Sequence, residues 1–352
     1  MKVVLFLSPF PPPYGGVATL TKVLFEKGLP SPYVAQIIDT KSLGPGLINN
    51  LKRELGILSK LLYRLIWKRP SVIHLNCSVS PVGVNRDLIC VLMARILGVP
   101  VLTHYHGNLA DYNVKEKYKI SSFTLKNLIR LSSINIYSNK PSMNFALKIK
   151  GLNLNPTMNL VLPNYASDKI WDYRHIPKNL PTITCAFVGT LCRAKGSDLI
   201  LDLANALPDF NFHLIGRIMP DVADLLNGPI PVNLKLCGVM DQLEVYEYLQ
   251  KVDLLIFPSL TEGFPLAMVE AMAIGLPVVC TNVGSLPEMI DENKGGYVLK
   301  PGDEIGFQSA IQKFANFELR QGAAIYNYTK AKNEYSFDSV ANRLVNSYNL
   351  IS

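Results

Sequence analysis

One stretch constrains this chain more than any other: an apolar run, a broken corner, a helix and a second apolar run, all within residues 253–280. Asp253-Leu254-Leu255-Ile256-Phe257 is short and apolar, which predicts a buried strand. Pro258, Ser259 and Gly263 interrupt the pattern and put Thr261 and Glu262 on a loop at that strand's carboxyl end. Pro265, with its φ fixed and no N–H to lose, suits the first position of a helix. Leu266, Val269, Met272 and Ala273 follow at helical spacing, and the helix is expected to stop before Gly275-Leu276-Pro277. Pro277-Val278-Val279-Cys280 then opens another buried strand.

Such a corner is a place for an anion and for hydroxyls. A helix start carries backbone N–H groups without partners and the positive end of the helix dipole, and here a glycine lets a ligand come close. Ligands of open α/β sheets sit at the carboxyl ends of strands. Glu262 and Glu270 bracket the corner, and two carboxylates suit sugar hydroxyls better than phosphate. A proline-capped core helix with two solvated glutamates has the same local pattern. The corner alone leaves both readings open.

With 352 residues the chain suits two domains of about 150–200 residues better than one core. Apolar residues make up 49% and charged ones 18%, which excludes a disordered chain. No apolar run approaches the ~20 residues needed to span a bilayer. The apolar run at 3–7 is too short for a signal peptide and meets a proline cluster, so none is expected. Six cysteines, at 77, 90, 185, 192, 237 and 280, show no Cys-x-x-Cys spacing. Buried free thiols in a reducing cytoplasm are therefore expected. Charge is divided unevenly. Residues 1–165 hold 20 Lys+Arg against 6 Asp+Glu, and residues 166–352 hold 15 against 21. A basic half points to an anionic partner, nucleic acid or an anionic membrane surface.

In the basic half, residues 2–7 read as a first buried strand, followed by Ser8, a proline-rich loop, Gly15-Gly16 and a helical pattern from Val17 to Phe25. A Gly-Gly turn there permits close approach of a ligand, although a plain turn explains it as well. It is not Gly-x-Gly-x-x-Gly, which counts against an NAD enzyme. Over 47–69, Leu51, Leu55, Leu58, Leu61, Leu62, Leu65 and Ile66 recur at helical spacing. Lys52, Arg53, Lys60, Arg64, Lys68 and Arg69 fill the rest of that surface, with Trp67 near the end. A basic amphipathic helix suits an anionic leaflet, each basic residue contributing about 1 kcal/mol near the surface. A stripe that packs on the sheet fits the same pattern, and one helix can do both. Strands expected at 72–75, 99–104 and 134–137 alternate with helical patterns, as in a parallel, doubly wound sheet. His104-Tyr105-His106-Gly107 ends one of these runs. A metal would need a third ligand, none lies nearby in sequence, and no metal site is expected.

The second half opens with a linker-like stretch at 171–181. A strand at 183–188 runs into Gly189-Thr190-Leu191-Cys192-Arg193-Ala194-Lys195-Gly196 and then a helix from Asp198 to Ala206. Lysine as a point charge and arginine as a fork of donors, set between strand and helix, suit a diphosphate clamp. Further strands at 210–215 and 232–236 lead to Gly216-Arg217 and Cys237-Gly238-Val239, and Gly284-Ser285-Leu286-Pro287-Glu288 precedes a short helix. No Asp-x-Asp occurs, so a metal clamp on a diphosphate is not suggested.

The run SLTEGFPLAMVEAMAIGLPVV at 259–279, with Glu262 and Glu270 both in place, closely resembles the signature of retaining glycosyltransferases of family 4, the glycosyl transferases group 1. The resemblance extends over most of residues 183–300 and is weaker over 1–165. It implies an α/β, GT-B architecture: two Rossmann-like, doubly wound domains facing a central cleft. An acceptor-binding domain is expected at 1–170 and a nucleotide-sugar-binding domain at 171–335. A C-terminal helix at 336–352 has the option of crossing back to the first domain. By the same resemblance Glu262, Gly263, Phe264, Pro265 and Leu266 face the sugar and diphosphate of the donor, and Glu270 takes the ribose hydroxyls. Lys195 clamps the diphosphate, Val239 lies at the nucleobase, Gly16 lies near diphosphate and acceptor, and His106 touches the donor sugar. The chemistry then falls to Glu262, His106 and Lys195. Thr190 stands where the family usually has arginine, which leaves Arg193 as the candidate to supply that charge, and Tyr165 replaces the glycine of Pro-Asn-Gly.

The implied function is retaining sugar transfer from a nucleoside-diphosphate sugar, uridine favoured, to a lipid-linked saccharide in bacterial surface polysaccharide or lipopolysaccharide synthesis. The enzyme would be cytoplasmic and peripheral on the inner face of the cell membrane. No cofactor, no metal and no nucleic acid partner are expected. A soluble acceptor is one alternative. A non-catalytic GT-B binding module is another; the intact glutamates and Lys195 speak against it and Thr190 for it.

Overall fold

The structure, a computed structural model, describes residues 1–13, 15–42, 44, 46–77, 80–109, 122–149, 151–152 and 155–352. Tyr14 of the proline-rich loop lies outside the described residues. Two compact units make up the chain, residues 1–164 with 337–352, and residues 165–336. The sequence expectation sets those borders at 170/171 and 335/336.

In the first unit β1 (Lys2–Ser8), α1 (Gly16–Lys27), β2 (Tyr33–Asp39), α2 (Leu47–Tyr63), β3 (Val72–Cys77), α3 (Pro81–Ile96), β4 (Val101–Tyr105), α4 (Ser122–Leu131), β5 (Ile134–Tyr137), α5 (Lys140–Leu147) and β6 (Asn159–Val161) follow one another. All strands pair in parallel, in the order β2-β1-β3-β4-β5-β6. Their continuous apolar runs are what a sheet covered by helices on both faces requires. The chain leaves β1 for β2 on one side and returns to β3 on the other. That reversal makes a switch point between β1 and β3, and ligands of open sheets bind outside the carboxyl ends of such a pair.

The apolar pattern of 47–69 splits. Ile57, Leu61 and Leu65 are buried, while Leu47, Ile48, Leu51, Leu55, Leu62, Ile66 and Trp67 are exposed. After Tyr63 the helix widens into a π-helical turn over Arg64–Lys68. Lys52, Lys60, Lys68 and Arg69 are exposed beside the apolar residues.

In the second unit β7 (Ile183–Val188), α6 (Ser197–Ala206), β8 (Phe210–Ile215), α7 (Ala223–Asn227), β9 (Leu234–Gly238), α8 (Gln242–Leu249), β10 (Leu254–Phe257), α9 (Leu266–Ile274), β11 (Val278–Thr281), α10 (Leu286–Met289), β12 (Gly296–Leu299), α11 (Glu304–Lys313) and α12 (Phe317–Glu334) build a parallel sheet in the order β12-β11-β10-β7-β8-β9. Here the switch point falls between β7 and β10. Every residue from Met268 to Ile274 on α9 is buried, so this helix is apolar on every side except at Glu270 because it lies inside the core. Pro265 caps α9 rather than opening it, one residue later than the sequence pattern suggests. Gly275 ends it in the left-handed region at φ 93°.

A last helix, α13 (Phe337–Asn349), belongs to the first unit. His74 Nδ1 and the Tyr348 hydroxyl lie 2.6 Å apart, and Arg343 donates to the Val161 carbonyl at 2.9 Å. All six cysteines are free, with Cys77, Cys90, Cys185 and Cys280 buried. No helix among the described residues is long and apolar enough to cross a membrane.

Candidate functional site

At the second unit's switch point the chain leaves β7 through a short 3-10 turn over Arg193–Lys195 that ends at Gly196. Gly196 has φ +74°, and a Cβ there would lie 2.3 Å from the Pro258 carbonyl oxygen. Only glycine lets this turn rest directly on the loop after β10, where Leu260 N–H donates to the Ala194 carbonyl at 2.9 Å. That contact carries Lys195 to Glu262, with Nζ and Oε1 2.6 Å apart. Gly284 wedges the same loop from the β11 side: its φ is +55°, and a Cβ would meet the Glu262 carbonyl oxygen at 2.0 Å. Ser285 N–H donates to the Gly263 carbonyl at 3.1 Å. Glu262 is 6% exposed, and its lysine cancels its charge. An anion arriving here meets a neutral pair and a helix start with no side-chain cap, not a bare carboxylate.

Glu270 sits one turn further on, 7% exposed within the buried α9. A capping box starts the neighbouring helix α8: Glu244 N–H donates to Asp241 Oδ1 at 2.9 Å and Asp241 N–H to Glu244 Oε2 at 2.7 Å. This places Gln242 and Tyr246, four apart on one helix face, against Glu270. Gln242 Nε2 donates to Glu270 Oε1 at 3.0 Å and the Tyr246 hydroxyl to the same oxygen at 3.2 Å. Oε2 receives neither bond. Burial raises the Glu270 pKa to about 7, partly opposed by those two donors.

Of the remaining expected residues, Pro265 and Leu266 form the cap and first residue of α9, next to Gly263. Phe264 is buried, its ring packed edge-on against Tyr335 at 5.6 Å. Val239 is exposed just past Gly238, the left-handed end of β9. Arg193 turns to acidic and carbonyl partners instead: its guanidinium lies 3.6 Å from Asp198 and donates to the Asp221 carbonyl at 3.1 Å. Thr190 is exposed. Lys195 is thus the cation that the structure joins to Glu262.

In the first unit Gly16 opens α1 and Gly15 precedes it with extended backbone. A Cβ at either would meet nothing within 4 Å, so the glycines leave open space rather than satisfy a strained turn. His106 follows β4 and stacks on His104 with ring centroids 3.9 Å apart. Burial lowers the His106 pKa to about 4, partly opposed by the Asn164 side chain, and lowers that of His74 to about 3. His104 is pushed down by the same cause. All three rings are neutral at pH 7. Among the described residues no three His, Cys, Asp or Glu side chains converge in a way that could hold a metal.

Sequence reasoning missed Gln242, Tyr246 and Asn76, whose amide contacts His106. The i, i+4 spacing of Gln242 and Tyr246 behind a capping box was a usable signal; for Asn76 there was none.

Comparison with known proteins places one segment in a family and the whole chain in a fold. Residues 182–316 match the family described as glycosyl transferases group 1. The Erwinia amylovora protein named amylovoran biosynthesis glycosyltransferase AmsK is 30% identical over 181 residues, covering 47% of this chain and 42% of that one. One component of the human phosphatidylinositol N-acetylglucosaminyltransferase is 27% identical over 312 residues, covering 84% of this chain and 60% of that one. The chain spans about half the length of the curated relatives it matches. Among solved structures, Anabaena HepE in complex with UDP superposes with a TM-score of 0.77 at 14% identity, covering 99% of this chain and 100% of that one. The resemblance read from the sequence is borne out: the matched segment is that of the glycosyl transferases group 1, and the fold is GT-B.

Proposed function

From a chain with the GT-B fold and a glycosyl transferases group 1 segment, we propose a retaining glycosyltransferase that uses a nucleoside-diphosphate sugar, UDP-sugar above others. Its acceptor is a lipid-linked saccharide in the synthesis of a bacterial surface polysaccharide or lipopolysaccharide. The observation that carries the reading is the Lys195–Glu262 pair at 2.6 Å, held against the start of α9 at the switch point, with Glu270 one turn behind. Solved complexes of HepE with UDP and with UDP-glucose favour uridine, and the amylovoran relative favours polysaccharide synthesis.

In this reading Glu270 Oε2 takes the ribose hydroxyls, and Val239 adjoins the base. Lys195, with the α9 start at Gly263, Phe264, Pro265 and Leu266, stabilises charge on the departing diphosphate, an electrostatic task that needs no metal. Glu262 faces the sugar, and the family resemblance assigns His106 to the donor sugar and Gly16 to diphosphate and acceptor. The bond from the anomeric carbon to the phosphate oxygen breaks while the acceptor oxygen bonds that carbon on the same face. The leaving phosphate takes the acceptor's proton. No protein nucleophile is required. A coupled assay with UDP-sugars and a lipid-linked saccharide, with the product anomer read by NMR, tests this: an inverted linkage, or no transfer from any nucleotide-sugar, would sink it.

The exposed side of α2 supports a seat on the inner face of the cell membrane. Leu51, Leu55, Ile66 and Trp67 are free to enter an interface while Lys52, Lys60, Lys68 and Arg69 meet anionic headgroups.

A further inference from the structure

The first unit's switch point carries a polar chain that ends on His106. Thr21 donates its hydroxyl to the Val17 carbonyl within α1, at 2.9 Å. Ser8, the last residue of β1, lies 2.6 Å from the Thr21 hydroxyl. Asn76, near the end of β3, donates from Nδ2 to Ser8 Oγ at 2.8 Å. Its Oδ1 lies 2.8 Å from His106 Nε2. The His106 Nδ1 atom is buried with no partner at full hydrogen-bond geometry, and the Asn164 side chain is the other polar group that acts on the ring.

A backbone carbonyl can only accept, and this fixes the direction of every bond that follows. Because Val17 takes the Thr21 proton, the 2.6 Å Ser8–Thr21 contact is made by the Ser8 proton, in preference to the Pro9 carbonyl at 3.4 Å; either acceptor leaves Ser8 no proton for Asn76. Ser8 Oγ then has only lone pairs to offer Asn76, so the amide turns its NH2 toward Ser8 and its oxygen toward His106. That oxygen needs a donor. Reversing the amide would cost the Thr21–Val17 bond, since Ser8 would have to donate to Asn76 and Thr21 to Ser8.

We propose that Asn76 is a positioning residue for His106, fixing the ring as the Nε2–H tautomer with Nδ1 as an acceptor only. No neighbouring imidazolium competes, because His74 and His104 are held neutral by burial. Nδ1 is closed to solvent in this structure; a sugar hydroxyl that gains it meets an acceptor and must donate its own proton. This last consequence rests on the proposed contact of His106 with the donor sugar; the tautomer does not.

The test is two-bond proton–nitrogen NMR on the full chain labelled with 15N-histidine, with the His106 signals identified by their loss in His106→Gln. The wild type is expected to show the Nε2–H pattern between pH 6 and 8. Asn76→Ala is expected to show a tautomer mixture, and so is Thr21→Val, which cuts the chain at its far end and serves if Asn76→Ala does not fold. Asn76→Asp, whose oxygen can still accept from Nε2–H, is expected to keep the pattern. An Nδ1–H pattern in the wild type, or an unchanged pattern in both Asn76→Ala and Thr21→Val, would overturn the proposal. In sugar transfer, Asn76→Ala is expected to lower kcat roughly fivefold or more, the worth of one hydrogen bond, with donor KM little changed. A correct tautomer without that effect would count against the role of His106 at the sugar and leave the tautomer assignment standing.

Discussion

Glu270 is a carboxyl tuned by what surrounds it, and pH exposes the tuning. Its raised pKa means that between about pH 4.5 and 7 the folded protein keeps a proton that the unfolded chain has released. Its contribution to stability therefore falls as pH rises through that window, and the full cost is present above 7. Binding of a ribose through the ionised form runs the other way. Affinity for a nucleotide-sugar is expected to weaken about tenfold per pH unit below 7, a slope that Glu270→Gln should abolish; calorimetric titration at pH 5.5, 6.5 and 7.5 checks this. Tyr246→Phe, by removing one donor to Oε1, should move the midpoint upward. The Lys195–Glu262 pair makes a second case. Lys195→Ala strands a nearly buried carboxylate and is expected to destabilise by roughly 1–2 kcal/mol, less than a fully buried pair because the lysine is 28% exposed. Adding Glu262→Gln should restore the melting temperature without restoring transfer. Both glutamates and Lys195 were legible in the sequence because they belong to local runs. The partners that orient them were not, since Gln242 and Tyr246 meet Glu270 only through the packing of α8 on α9.

The elements around the corner depend on two close backbone approaches. Gly284→Ala would set a Cβ 2.0 Å from the Glu262 carbonyl at a left-handed φ, so the loop must move. A loss of about 1–3 kcal/mol is expected, with transfer falling further than stability explains, because Glu262 moves with its backbone. Chemical denaturation beside kinetics separates the two effects. The start of α9 came one residue later than the proline pattern suggests, since Pro265 fits a cap as readily as a first helical residue. On α2 the sequence periodicity merged two faces. Leucines at helical spacing cannot tell a stripe against the sheet from a stripe left in solvent. The split between buried Ile57, Leu61 and Leu65 and exposed Leu51, Leu55, Leu62 and Ile66 is settled only by where the helix lies.

For the molecule as a whole, alternation of apolar runs with helical patterns was enough to foresee two doubly wound units. It did not reveal strand order. Nothing local distinguishes β2-β1-β3 from β3-β2-β1, because parallel neighbours are joined through crossovers and paired by long-range fit. The switch points, and hence the placing of Asn76 beside Ser8, follow from that order. The uneven charge was legible at once, and its use is open to measurement. Co-sedimentation with vesicles rich in anionic lipid is expected for the wild type, to fall with added salt, and to drop at least tenfold in the triple variant Leu51→Ser, Leu55→Ser, Trp67→Ser. Those residues are exposed, so melting should shift little, and equal binding by both proteins would remove α2 from the membrane account.

The most direct test of the central claim is calorimetric titration of the whole chain with UDP, GDP and ADP and their sugar conjugates, wild type beside Glu270→Ala. Saturable binding of one nucleotide family, lost in the variant, is the expected result. Binding of none of them, or binding that survives in Glu270→Ala, would contradict a nucleotide-sugar site at the start of α9.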